Sequence, residues 1–157
     1  MDTGTIIISL VFLGICILPI IYFKISRQKN HQRLLNALQN IANPYNSKIT
    51  EHGICRQMAL GIDSNLKIVY YFNATPMNII SHNRVDLNEV KSFKIKKTLR
   101  PSSTMLDKLD LVFYFKDPKK PEIAFNFFES EQTFQIGNEM IFLEAWENKI
   151  KQVLQTI

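Results

Sequence analysis

Residues 5–23 read TIIISLVFLGICILPIIYF, with no charged side chain. This run constrains the chain more than any other feature. At a rise of about 1.5 Å per residue, a helix of this length spans about 28 Å, close to the hydrocarbon thickness of a bilayer. Lipid tolerates the β-branched Ile and Val, because a helix satisfies every backbone amide where no water can. Pro19, which breaks helices in water, is tolerated near the end of such a span. A secretory signal peptide calls for Lys or Arg ahead of the apolar stretch and small residues before a cleavage site. Here the only charged side chain before residue 5 is Asp2, and the run ends in Ile-Ile-Tyr-Phe ahead of Lys24. A buried core helix is the other alternative, but one apolar on every face is rare in a chain of 157 residues. The expectation is one transmembrane helix over 5–23.

Flanking charge sets its orientation. Lys24, Arg27, Lys29 and Arg33 follow the run directly, and the positive-inside rule places that side in the cytoplasm. Tyr22 and Phe23 fall where an interfacial aromatic belt sits. The expected location is the inner (plasma) membrane, single-pass, with the N-terminus outside and the remainder cytoplasmic. All 19 Lys and Arg lie from Lys24 onward, against 13 of the 14 acids, a net of +6. That balance suits a domain beside an anionic leaflet. It is too modest for a nucleic-acid binder without an RNP-like or zinc-finger pattern, and none is present. The bilayer and another membrane or cytoplasmic protein are the expected partners, with no nucleic acid. Cys16 lies inside the apolar run and Cys55 stands alone in the remainder, which excludes a disulfide framework and suits a reducing compartment.

After a basic stretch over 24–33, Leu34, Leu35, Leu38, Ile41 and Ala42 mark one helical face, stopped by Asn43-Pro44. The period then shortens to that of strands. RQMALGI and LKIVYYF flank the polar Asp63-Ser64-Asn65, a hairpin signature. Weak strands are expected at 78–81 and 84–87. In VKSFKIKKTL, Phe93 and Ile95 share one face, and Lys94 and Lys96 the other. LDLVFYFK and EIAFNFFE, joined by DPKKPE, form the clearest hairpin: Leu109, Leu111, Phe113 and Phe115 share a face, as do Ile123, Phe125 and Phe127. Asn138 is a candidate N-cap, with Glu139 in the first turn. Leu143, Trp146, Ile150, Val153 and Ile157 then form an amphipathic stripe. Six or seven strands without long parallel crossovers, followed by a helix, give an α+β class that is mainly antiparallel β.

Residues 48–157 resemble a PH-like domain (pleckstrin-homology superfold, GRAM-type). The resemblance rests on the strand count, on VDLNEVKSFKI and on the terminal helix around LEAWENKIKQVL. Bacterial and GRAM-type PH-like domains carry an apolar-x-x-Ile/Val segment ahead of an alternating strand, as Leu87-Asn88-Glu89-Val90 does here. The chain is also similar to small membrane-anchored proteins of Bacteroidetes. The resemblance implies a barrel capped by the C-terminal helix, giving a transmembrane helix over 5–23, a juxtamembrane linker and helix over 24–47 and a PH-like domain over 48–157. It implies no catalytic signature and leaves protein docking and lipid binding both open.

Chemistry-bearing motifs are sparse. The five glycines build no GxGxxG or P-loop, and His31, His52 and His82 lack zinc-site spacing. His52 and Cys55 read as a surface histidine beside a core thiol. The carboxylates Asp107 and Asp110, and Glu129 and Glu131, read as loop solubility. No catalytic residue, metal or cofactor is expected. The best candidate for function is Lys91, Lys94, Lys96, Lys97 and Arg100, five cations on and after one strand. They read either as a solvated edge or as a contact for anionic headgroups or an acidic partner. The expectation is a membrane-tethered, non-enzymatic docking or scaffold module. Headgroup binding through residues 91–100 and an enzyme with a distributed site are the alternatives.

Overall fold

The computed structural model describes residues 3–74, 80–101, 104–131 and 136–155, apart from the side chains of 3–12, 14, 20 and 80. Helix α1 (Thr3–Ala42) runs without a break through Pro19 and the basic stretch 24–33, a length of about 60 Å. Asn43–Tyr45 forms a 3₁₀ turn with Pro44 inside it, and Asn46 leaves it in the left-handed region at φ 50°. Seven strands follow: β1 (Glu51–Cys55), β2 (Met58–Asp63), β3 (Ile68–Ala74), β4 (Ile80–Asp86), β5 (Val90–Leu99), β6 (Leu106–Phe115) and β7 (Ile123–Glu129). Helix α2 (Glu139–Gln155) ends the fold. All strand pairs are antiparallel, in a four-stranded sheet β1-β2-β3-β4 and a three-stranded sheet β5-β6-β7.

The strands bury the residues that alternation predicts. Leu109, Leu111, Phe113 and Phe115 of β6 are buried, as are Phe125 and Phe127 of β7. A register shift opposite Leu109 and Asp110 lets Phe128 turn inward as well. These residues meet Leu60, Ile62 and Tyr71 of the first sheet. Tyr71 stacks on Phe125 at 4.9 Å between ring centroids and donates its hydroxyl to the Asn126 carbonyl. From α2, Leu143, Trp146 and Ile150 complete this core. Val153 packs against it half-buried, and Ile157 lies outside the described residues. The two weak strands expected at 78–81 and 84–87 form one strand, β4; Asn78 and Ile79 lie outside the described residues.

A second core lies on the other face of the first sheet. Leu34, Leu38 and Ala42 of α1, four residues apart, cover Ala59, Ile68, Tyr70 and Phe72. The loop between α1 and β1 is tied down by Asp63. Its Oδ2 accepts from Ser47 Oγ at 2.7 Å and Lys48 N–H at 2.8 Å. Its Oδ1 accepts from Asn65 N–H at 2.9 Å and Leu66 N–H at 3.0 Å, closing the β2–β3 turn.

One expectation is corrected. The barrel does not close: among the described residues, β4 and β5 are consecutive yet unpaired, and the chain passes between sheets through a 3₁₀ turn at Leu87–Glu89. The stripe of α2 packs into the core between the sheets, so apolar cover takes the place of a closing ladder. Among the described residues, no helix is long and apolar enough to cross a membrane. The run 5–23 expected to do so belongs to α1, and the side chains of 5–12, 14 and 20 fall outside the described set.

Candidate functional site

The stalk of α1 is the first candidate surface. Beyond Leu34 toward the N-terminus it leaves the sheet, and Leu13, Ile15, Leu18, Tyr22, Phe23 and Ile25 are exposed, Tyr22 by 72% and Phe23 by 65%. One helix therefore carries two environments: a C-terminal stripe buried in the domain and an apolar stretch that no described element covers. Lys24, Arg27, Lys29 and Arg33 lie between them, all exposed. Lys24 and Arg27 are three apart and Lys29 and Arg33 four apart, so the cations form two pairs around the helix rather than one row. Lys29 and Arg33 join Gln32, Asn36 and Asn40 along a shallow polar groove of about 530 Å³.

The run on β5 is the second. Lys91, Lys94, Lys96, Lys97 and Arg100 are all exposed, and β5 is an outer strand of its sheet. Alternation puts Lys94 and Lys96 together on the face away from the core, and Phe93 and Ile95 half-buried against it. Lys97 follows the parity of Phe93 and Ile95. Register shifts at Val90/Ser92 and at Thr98/Leu99 separate Lys91 and Arg100 from the pair. The four lysines are thus spread over both faces of β5, and Arg100 lies just past its end. Lys94 Nζ lies 5.2 Å from the centroid of Tyr114, Lys96 stands opposite Asp110, and Arg100 reaches Asp107 at 3.4 Å.

The third is a cleft of about 640 Å³ between the β1–β2 turn and the start of α2, lined by Ile54, Cys55, Arg56, Gly137, Ile141 and Phe142. The two-residue turn at Arg56-Gln57 demands left-handed backbone, and Arg56 supplies it at φ 54° although it is not glycine. Its Nε lies 2.8 Å from Glu139 Oε1, a carboxylate only 1% exposed. Glu139 also accepts from the Gly137 N–H. It is therefore a buried ion-pair partner and not merely an acid at a helix N-terminus. Nothing in the sequence around Arg56 or Glu139 announces this pairing, because the residues are far apart in the chain. Asp63 was readable in part, since Asp-Ser-Asn is a turn signature, but its links to Ser47 and Lys48 were not.

Burial, assisted by Glu139 and opposed by Arg56, pushes the Cys55 thiol up to about 11. Such a thiol is a poor nucleophile. His52 and Cys55 occupy opposite faces of β1, since they are an odd number of positions, three, apart in a strand. Asp107 is held low by Ser130 and Arg100, whereas burial raises Asp110, which accepts from Asn126 Nδ2 at 2.9 Å. Each is thus occupied with its own neighbours. Glu129 pairs with Lys108 at 2.9 Å. Among the described residues, no three His, Cys, Asp or Glu side chains converge as metal ligands would.

Comparison with known protein families, with curated proteins and with solved structures finds no match for this chain.

Proposed function

We propose that this chain is a single-pass, membrane-tethered, non-enzymatic docking module, with residues 48–157 as a PH-like domain at the cytoplasmic face. The observation that carries the reading is the change of environment along α1. Leu34, Leu38 and Ala42 are buried in the domain, while Leu13, Leu18, Tyr22 and Phe23 of the same helix are exposed. Each large apolar side chain left in water forgoes about 1.5–3 kcal/mol relative to burial. A bilayer recovers that energy for the whole stretch at once. The cations at Lys24, Arg27, Lys29 and Arg33 then meet the anionic headgroups on the cytoplasmic side.

The PH-like reading draws support from seven antiparallel strands in two sheets and a terminal helix packed into the core between them. The docking role draws support from the chemistry of the surfaces. The cleft holds a high-pKa thiol and a satisfied ion pair, which suit stability better than turnover. Confinement to a membrane raises the effective concentration of such a module toward membrane partners.

Alkaline carbonate washing of membranes from cells producing the full chain tests the tether, and protease treatment of sealed vesicles tests its orientation. The chain stays in the pellet, and residues 48–157 are digested only from the cytoplasmic side. Release into the supernatant, or digestion from the opposite side alone, overturns the reading.

A further inference from the structure

The outer edge of β5 is ten residues long, about 33 Å. Its inner edge pairs with β6 along its length; among the described residues, the backbone hydrogen bond shown on its outer side is at its first residue, where the Val90 N–H donates to the Leu87 carbonyl and closes the 3₁₀ turn. A free edge of this length is a template for another strand. Its side chains define what that strand must carry. Lys94 and Lys96 project from one face, and neither they nor Lys91 and Lys97 have a carboxylate within ion-pair distance among the described residues. On the other face, Phe93 and Ile95 are only half-buried, with Phe93 lying against Phe113 at 5.9 Å between centroids.

Directly opposed residues on neighbouring strands share a face. A strand added here therefore sets acidic side chains beside Lys94 and Lys96 and apolar ones beside Phe93 and Ile95. We infer that the free edge of β5 accepts an extended polypeptide segment of alternating acidic and apolar residues as an added strand, an inference that rests on the docking role proposed above. A second copy of β5 is a poor occupant, because lysines would then oppose lysines. A lipid headgroup neutralises the ammonium groups but leaves the backbone donors and acceptors of the edge unpaired. An acidic strand satisfies both.

The test uses the full chain in nanodiscs of phosphatidylcholine, whose headgroups carry no net charge. The probe is a fluorescein-labelled ten-residue peptide of alternating Glu and Val, read by anisotropy. Binding is expected, with protection of β5 amides from hydrogen exchange. The same peptide N-methylated at alternate residues keeps its charge but cannot extend a ladder, and is expected to bind at least about tenfold more weakly. The K94E/K96E variant is expected to lose at least about tenfold in affinity, with unchanged exchange protection in β6 certifying its fold. Equal binding of the N-methylated peptide overturns strand addition. So does the absence of peptide binding, with or without capture of the chain by phosphatidylserine vesicles. Failure of the tether reads out separately, as a chain that does not co-fractionate with the nanodiscs.

Discussion

A Cβ placed on Gly53 would lie 2.7 Å from the indole Nε1 of Trp146, so α2 rests on β1 at the one position where β1 has no side chain. Gly61, on the neighbouring strand and the opposite face, does the same for α1: a Cβ there would lie 2.7 Å from Leu38 Cδ2 and 3.1 Å from Ile49 Cγ2. The two helices are thus seated on opposite faces of one sheet, each through one glycine. Gly53→Ala and Gly61→Val are each expected to cost about 1–3 kcal/mol by overpacking. Urea titration of the full chain in detergent measures this, and wild-type midpoints for both variants would show that the helices do not sit as described.

Asp63 is expected to give the fold an acid-sensitive component. Burial pushes its carboxyl up, but hydrogen bonds from Leu66, Ser47, Lys48 and Asn65 outweigh it and hold the group below its ordinary 3.8. A lowered pKa stabilises the fold above the unfolded value, and the contribution drains away as pH falls through the folded value. Asp63→Asn is expected to cost about 1–3 kcal/mol at pH 7. The gap to wild type narrows below pH 3.8. A gap that stays constant from pH 7 to pH 3 contradicts the assignment.

Arg56 and Glu139 are unequal partners. Arg56 is 44% exposed and Glu139 1%. Removing the guanidinium strands a buried carboxylate, whereas Glu139→Gln keeps an oxygen to accept from Gly137. Solvent around Arg56 screens the pair, so Arg56→Ala is expected to cost about 2 kcal/mol, between the exposed and buried extremes. Glu139→Gln costs less, and adding Arg56→Ala to it costs little more. A double-mutant cycle with fully additive losses contradicts the coupling.

Cys55 is expected to resist alkylation. With its thiol near 11, roughly one molecule in a thousand carries the thiolate at pH 8. Iodoacetamide followed by peptide mass spectrometry should find Cys55 unmodified in the folded chain and modified in urea. Rapid native modification would mean that β1 opens readily from α2.

Much of the fold is legible where one face is wholly apolar. Leu109 through Phe115, and Phe125 with Phe127, alternate so cleanly that both strands follow from period alone. The stripe Leu143, Trp146, Ile150 reads just as directly. β4 is harder, because its polar Ser81, His82, Asn83 and Arg84 are exposed at a sheet edge and carry no period-2 signal. Gly53 hides its purpose, since a missing side chain signals nothing until Trp146 is placed above it. Barrel closure is a matter of which edges meet, and no residue pattern encodes that. The candidate surface on β5 is similar: the cations are obvious, but their division between two faces depends on register shifts at both strand ends.

The tether is tested most directly at Cys16, the exposed thiol of the apolar run. Cys55 is buried, so a nitroxide reagent applied to the native chain in mild detergent marks Cys16 selectively. After reconstitution into bilayers, power saturation compares collision with oxygen, which concentrates in the hydrocarbon, and with a water-soluble nickel chelate. Strong oxygen relaxation with the nickel chelate excluded is the predicted result. A label at Cys16 that collides freely with nickel places the helix in water and contradicts the account.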